Sequence, residues 1–342
     1  MDGTTVAVDL AKYVFEVAVA NDRGQIIDRK RFGRAALKSF LETRPASRVV
    51  MEACGTAHYW GRFAQEHGHE VKLLPPAYVR PFVRRDKTDR ADAEALVDAA
   101  RGDRIPAVPV KRAEQQGLVA LHRIREQWMS TRTARINGLR GLLREHGVIL
   151  PAGARSAVLA VPALLDSATE LPAVLRRVLA SVREEIRALE DRIAEVDREL
   201  RNLATTDPVC VQLQTVPGIG PLAATALVAT VGHIHAFRRG RQFASWVGLT
   251  PREHSSGARR RLGHISKRGD RYLRLLLTHG GRAVVVAAAR RRRAGQPLPR
   301  LYEWALEVRA RSHFNKAIVA VANKLARLVW AVWTRDVAFV AA

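Results

Sequence analysis

Cysteine is almost missing from this chain: 342 residues carry two, Cys54 and Cys210. They stand too far apart in sequence to form a disulfide framework or a ligand cluster, so a reducing cytosol is the expected setting. Long apolar runs are missing as well. The densest, Ala283–Ala289, closes at Arg290, far short of the roughly 18 residues a membrane span needs, and no membrane partner is expected. The opening Met1-Asp2-Gly3 has no basic n-region, which argues against a secretory signal. No Walker A motif is present, which argues against an ATP-driven motor, and no Gly-x-Ser-x-Gly elbow points to a hydrolase triad. His67/His69 and His233/His235 are spaced i, i+2 without Cys or acid companions at zinc spacing and read as ordinary. Acid is scarce: 33 Asp plus Glu face 57 Lys plus Arg, a formal net charge of +24. An excess of that size calls for a polyanionic partner, nucleic acid first. The hydrophobic fraction of 47% is that of a globular protein and excludes a disordered basic tail.

The charge is concentrated. Between Pro251 and Arg300 stand 14 Lys or Arg against Glu253 and Asp270 alone, a net +12, half the excess of the whole chain. A solvated face mixes signs; a one-sign cluster is rewarded where it neutralises phosphates. Arg252, Arg259, Arg260, Arg261, Lys267, Arg268, Arg271 and Arg274 are the candidate nucleic-acid contacts.

Three regions follow from the patterning. Residues 1–105 read as α/β. Strands are expected at 4–10, 13–20 and 25–32, with a turn at Asn21-Asp22-Arg23-Gly24, then at 49–53 and 70–74; helices are expected at 35–42, 57–67 and 89–101. Three antiparallel strands followed by alternating helix and strand is the order of a ribonuclease-H-like sheet. Residues 106–206 read as long helices. Val182, Ile186, Leu189, Ile193, Val196, Leu200 and Leu203 step alternately by 4 and 3, an a/d seam of about three heptads. An antiparallel hairpin within the chain and a coiled-coil dimer seam are equally open from this pattern. Residues 207–342 read as helical. Val216-Pro217-Gly218-Ile219-Gly220-Pro221 joins two helices as a helix-hairpin-helix would, with the amides of Gly218 and Gly220 available to a phosphate.

Four acids stand out by position. Asp9 and Glu52 close strands, while Asp89 and Asp92 lie three apart at a helix start and share a face. A carboxylate at a strand tip is costly to bury unless it is compensated, and several together point to divalent cations between them. Two Mg²⁺ ions serve both sides of a phosphodiester displacement. Taken singly, each acid has a plainer reading: Asp89 as a helix cap, Asp9 as a turn residue. Ser256, before Gly257 in a basic loop, taken alone reads as a loop serine.

Together these residues resemble one family. Asp9-Leu10-Ala11-Lys12, Glu52-Ala53-Cys54-Gly55-Thr56 and Lys87-Thr88-Asp89-Arg90-Ala91-Asp92-Ala93 are similar to the three acidic blocks of the DEDD transposases of bacterial insertion sequences (the insertion sequence one-ten family). Val216–Gly220 and the stretch from Phe243 to Gly257, with Ile265–Asp270 and Tyr272-Leu273-Arg274, resemble that family's C-terminal transposase domain. The resemblance covers about 270 residues in the family's order. It implies a RuvC-like ribonuclease-H-fold domain whose Asp9, Glu52, Asp89 and Asp92 hold Mg²⁺. It also implies a catalytic serine, carried over to Ser256 with Ser255 beside it, that attacks DNA and joins a 5′ phosphate. The partners it implies are donor and target DNA and a structured bridge RNA, and a homo-oligomer, dimer or tetramer, is expected in the bacterial cytosol near the nucleoid. Two other readings remain at this level: a RuvC-like metal-dependent endonuclease that uses water, and a non-catalytic nucleic-acid-binding protein.

Overall fold

A computed structural model describes residues 3–83, 89–102, 105–167 and 171–340. Lys87 and Thr88 of the third acidic block, and the side chain of Asp89, lie outside what it describes. The chain forms two compact units, Met1–Gln116 and Gly117–Ala342.

The first unit is built on β1 (Thr5–Asp9), β2 (Val14–Ala20), β3 (Ile26–Gly33), α1 (Arg34–Thr43), β4 (Arg48–Glu52), α2 (Ala57–Glu66), β5 (Glu70–Leu74), the single turn α3 (Pro76–Val79) and α4 (Asp89–Ala100). Its sheet runs β3-β2-β1-β4-β5. β1 pairs antiparallel with β2, and β2 with β3, whereas β1–β4 and β4–β5 are parallel. Strand alternation separates two cores. Val6, Val8, Val49 and Met51 face a core that includes Trp60, while Ala7, Ala18 and Val50 face the buried Ala93 and Leu96 of α4. The alanines on that second face let α4 lie close against the sheet. Its direction is fixed at its far end, where the Arg101 side chain lies against Gly24 in the β2–β3 turn and the Ala100 carbonyl accepts a hydrogen bond from Lys72 Nζ at 3.0 Å. That turn adjoins the start of β1, so α4 runs opposite to β1 and begins at the end where Asp9 lies. His69 is a core histidine, its ring bridging the Ser47 amide and the Leu41 carbonyl.

The second unit is helical: α5 (Ala113–Arg144), which opens at the junction, α6 (Ala154–Ser167), α7 (Ala173–Thr206), α8 (Pro208–Leu213), α9 (Pro221–Val231), α10 (Gly240–Val247), α11 (Arg271–Arg293), α12 (Arg300–Ala310) and α13 (Phe314–Arg335). A small two-stranded sheet, β6 (Pro251–Glu253) with β7 (Leu262–Ile265), interrupts the helices. Three arginines of α5 meet acids of α7 in reverse order: Arg125 with Asp197 at 2.5 Å, Arg132 with Glu190, and Arg135 with Glu185 at 2.7 Å. The two helices are therefore antiparallel partners within the chain, the hairpin arrangement among the two that the heptad left open. Ile186, Leu189, Ile193, Val196 and Leu200 are buried, while Leu203 stays exposed. α13 has the length and composition of a membrane span, and its apolar face is core in this fold, with Val321, Leu325 and Val329 fully buried.

Glycines set two close backbone approaches in this unit. A side chain on Gly218, at φ +86° in the α8–α9 turn, would strike the Gly280 carbonyl of α11, and one on Gly281 would strike the Ile318 carbonyl of α13. Packing against α11 thus supplies a reason for Gly218 that is independent of any phosphate. Gly220, exposed at the start of α9, has no such neighbour.

One buried polar group ties the helices together. His122 of α5 lies between Thr225 Oγ1 at 3.1 Å and Tyr272 Oη at 3.2 Å. Thr225 donates its own hydrogen to the Pro221 carbonyl at 2.8 Å, so it accepts from His122 Nε2, and Nδ1 accepts from the tyrosine. Burial, then the nearby charge of Arg125, pushes the imidazole pKa down to about 4, against the opposing pull of Asp197. The folded state holds this ring neutral. Between pH 6.5 and 4 the unfolded chain takes up a proton that the folded chain refuses, so stability falls with falling pH across that window, by about 3 kcal/mol in all. Thermal melts of the wild type and His122→Gln at pH 7 and pH 4.5 check this. The wild type should lose more on acidification than the variant, and equal losses would contradict the assignment.

Candidate functional site

Two groups of residues carry chemistry, one in each unit. In the first, Asp9 ends β1 and Glu52 ends β4, one residue beyond the paired Val8 and Met51. Both share the strand parity of Ala7 and Val50 and so lie on the α4 face of the sheet. Asp92, in the first turn of α4, stands four residues before the buried Leu96, which turns it toward the same face. Asp9, Glu52 and Asp92 are half-buried. A further acid, absent from the four that the sequence marked, joins this face. Glu16 lies directly opposite Asp9 in the β1–β2 register and shares its face, where it pairs with Arg31 at 3.3 Å. Its signal was a single acid breaking the apolar run of β2. Among the described residues no three His, Cys, Asp or Glu side chains form a ready metal site as they stand. The donor set itself is all carboxylate oxygen, which suits a hard divalent cation rather than a soft one.

In the second unit the serine lies on a feature that the sequence did not announce. β6 and β7 form a hairpin whose residues from 251 to 264 are all exposed. Its tip is a two-residue turn: the amide of Arg259 donates to the Ser256 carbonyl at 3.2 Å, and the Ser256 amide to the Arg259 carbonyl at 3.3 Å. Gly257, the first central residue, takes φ +55°, and Ala258 stays out of the positive-φ region. This is the hairpin turn that demands glycine in that place. The Ser-Gly pair is thus a tip geometry, with the serine at the last paired position and its hydroxyl without a hydrogen-bond partner among the described residues. Ser255 differs. Its Oγ donates to Glu253 Oε1 at 2.8 Å and accepts from the Arg261 amide at 3.0 Å, clipping the two strands together.

The neck of the hairpin is held by backbone contact. Gly248 and Gly269, at φ +84° and +85°, lie so close to the backbone across the neck that a Cβ on Gly248 would overlap the Arg268 carbonyl and one on Gly269 the Trp246 carbonyl. Arg274 braces the same place, its Nη1 donating to the Val247 carbonyl at 3.0 Å. Its guanidinium therefore has a structural task in this fold. Arg252 reaches the Ser266 carbonyl at 3.3 Å, and Arg260 lies 3.6 Å from Glu253. Arg259, Arg261, Lys267, Arg268 and Arg271 are exposed on the hairpin or just after it. Gly248→Ala or Gly269→Ala should cost at least about 2 kcal/mol, since each combines a left-handed backbone with a backbone clash. Thermal melts and limited proteolysis between Pro251 and Ile265 check this. A wild-type melting temperature with unchanged cleavage would show that the neck is not so constrained.

Known proteins place these residues in context. A DEDD-type model described as "Transposase" matches residues 6–148, and one described as "Transposase IS116/IS110/IS902 family" matches residues 210–296. The chain is 41% identical to a probable family 20 transposase of Pseudomonas aeruginosa, with 99% of both chains covered. It is 37% identical to the transposase for insertion sequence element IS1111A of Coxiella burnetii, covering 97% of this chain and 90% of that one. A pilin gene-inverting protein of Moraxella bovis is 24% identical over 75% of each. The acids of the first unit fall within the first match and the serine hairpin within the second, and the chain belongs to the IS110 family of insertion-sequence transposases, which bind, cut and rejoin DNA.

Proposed function

We propose that Ser256 is the nucleophile of this transposase and that Asp9, Glu52, Asp89 and Asp92 form its metal-binding set on a ribonuclease-H-like sheet. The observation that carries the proposal is the hairpin tip, where Ser256 is exposed, unpartnered among the described residues and flanked by arginines. Ser256 Oγ attacks a DNA phosphorus, an Oγ–P bond forms, and the P–O3′ bond breaks. The hydroxyl proton leaves and the departing 3′ oxygen gains one. The products are a 5′-phosphoserine and a free 3′-OH, and attack by another 3′-OH on the phosphoserine reverses the step and rejoins the strand. Arg259 and Arg261 would stabilise charge on the five-coordinate phosphorus. A serine hydroxyl is a poor nucleophile near neutral pH without activation. Bound Mg²⁺ would supply that activation and neutralise the phosphate. The four carboxylates would hold and orient it, and the strand order and the facing of Asp9 and Glu52 support that assignment.

The resemblance further supports a structured bridge RNA that pairs with donor and target DNA, and the working assembly we propose is a dimer or tetramer in the bacterial cytosol. The test is strand cleavage of DNA carrying the element's ends by the purified protein. Cleavage should require a divalent cation, stop in EDTA, and leave part of the protein retarded with DNA in a denaturing gel. Cleavage undiminished by EDTA would overturn the metal set.

A further inference from the structure

A groove of about 390 Å³ opens beside the neck of the serine hairpin, a size within the range of ligand sites. One wall is the hairpin base, where Pro251 and Ile265 pair across the two strands. The other is Trp304 of α12 with Lys316, Lys324 and Arg327 of α13. The α13 residues recur at helical spacing, so the three cations line one face. No acid is among the residues lining the groove. Asn323 ties α13 to the hairpin through a 3.2 Å hydrogen bond to the Leu249 carbonyl, so the two walls are fixed to each other. Trp304 is half-buried, and Lys324 Nζ lies 4.9 Å from its ring centroid.

We infer that this groove binds an unpaired nucleotide of single-stranded DNA, with its base stacked on Trp304 and its flanking phosphates on Lys316, Lys324 and Arg327. An aromatic face beside cations is the combination that single strands use, because every base offers a π face and every linkage a charge. Duplex bases are stacked on each other and cannot enter. Lys324 can leave the ring for a phosphate when a base takes its place, since its stem is flexible. The choice of DNA follows from the family. The choice of a single strand, opened next to the cutting point, rests on the proposed role of the Ser256 hairpin, whose base is one wall of the groove. The groove would then grip the strand flanking the scissile linkage.

The test measures binding without cleavage. Fluorescence anisotropy of a labelled oligo-dT is read against the full chain and its variants, with a duplex of the same length, an oligo-U and polyglutamate of matched charge as comparisons. Trp304→Ala should weaken oligo-dT binding by between about fivefold and a hundredfold, the range that loss of one base–aromatic stack produces. Trp304→Phe should retain most of the affinity, and duplex binding should change by less than about twofold. Binding is read without cleavage, so a failed serine assignment leaves this result standing and the reverse holds too. If Trp304→Ala does not fold, Lys316→Glu/Arg327→Glu, which changes two exposed side chains, takes its place and should weaken oligo-dT more than duplex. Equal weakening of single strand and duplex, no effect of either variant, tighter Trp304-dependent binding of oligo-U, or equal competition by polyglutamate would each overturn the inference.

Discussion

Strand cleavage should fall by about three orders of magnitude or more in Asp9→Asn and in Glu52→Gln, with DNA binding close to that of the wild type. Each change keeps the side-chain shape and removes one negative charge at the end of adjacent parallel strands on a single face of the sheet. The expected loss is in the chemical step, because on the proposed reading the affinity for DNA is carried by the basic residues of the other unit. Glu16→Gln separates role from location. It shares the face with Asp9, yet it is neutralised by Arg31, so cleavage should fall by no more than about tenfold. Single-turnover cleavage of end-labelled DNA in Mg²⁺ measures all three. Near-wild-type rates in both Asp9→Asn and Glu52→Gln would remove the metal set from the first unit.

Ser256→Ala should abolish cleavage to the limit of detection while leaving DNA binding and thermal stability intact. It deletes one exposed hydroxyl from a tip whose turn is made by backbone bonds and Gly257. Ser255→Ala acts differently. It removes the clip to Glu253 and Arg261, loosening the hairpin, so cleavage should fall by about tenfold and recover at lower temperature. Ser256→Cys tests the chemistry further, since a thiolate is a stronger nucleophile but a poor match for a hard cation. It should give at most a trace of activity in Mg²⁺.

The sheet of the first unit was legible because β1, β2 and β4 are short apolar runs rich in valine and bounded by polar or turn residues. Departures from that pattern, a carboxylate at the end of Thr5–Asp9 and another at the end of Arg48–Glu52, marked two of the candidate acids. Glu16 was missed because a lone acid inside Val14–Ala20 looks like an ordinary solvent-facing position until the register sets it opposite Asp9. The β6–β7 hairpin left no trace, since a strand pair with no buried face has no alternation to read. Its glycines became meaningful only once Gly248 and Gly269 were seen to face each other's backbones. The heptad of α7 was visible, but the choice between a partner helix in the same chain and one in a second copy was not, because ion pairs such as Arg125–Asp197 join positions 72 residues apart. Gly218 looked like a phosphate-binding residue from its local sequence. Its contact with Gly280 is a property of the folded unit and could not be read from the turn alone.

The claim on which the rest depends is that Ser256 becomes joined to DNA, and mass spectrometry of a trapped complex tests it most directly. The full-length protein is incubated with Mg²⁺ and DNA bearing the element's ends, quenched in denaturant, digested with nuclease and protease, and searched for a nucleotide-bearing peptide spanning the hairpin. The account predicts a phosphodiester-linked nucleotide on Ser256, absent from Ser256→Ala and from Asp9→Asn. Efficient cleavage with no protein-linked nucleotide, or cleavage that persists when Ser255 and Ser256 are both alanine, would contradict it and leave water as the nucleophile.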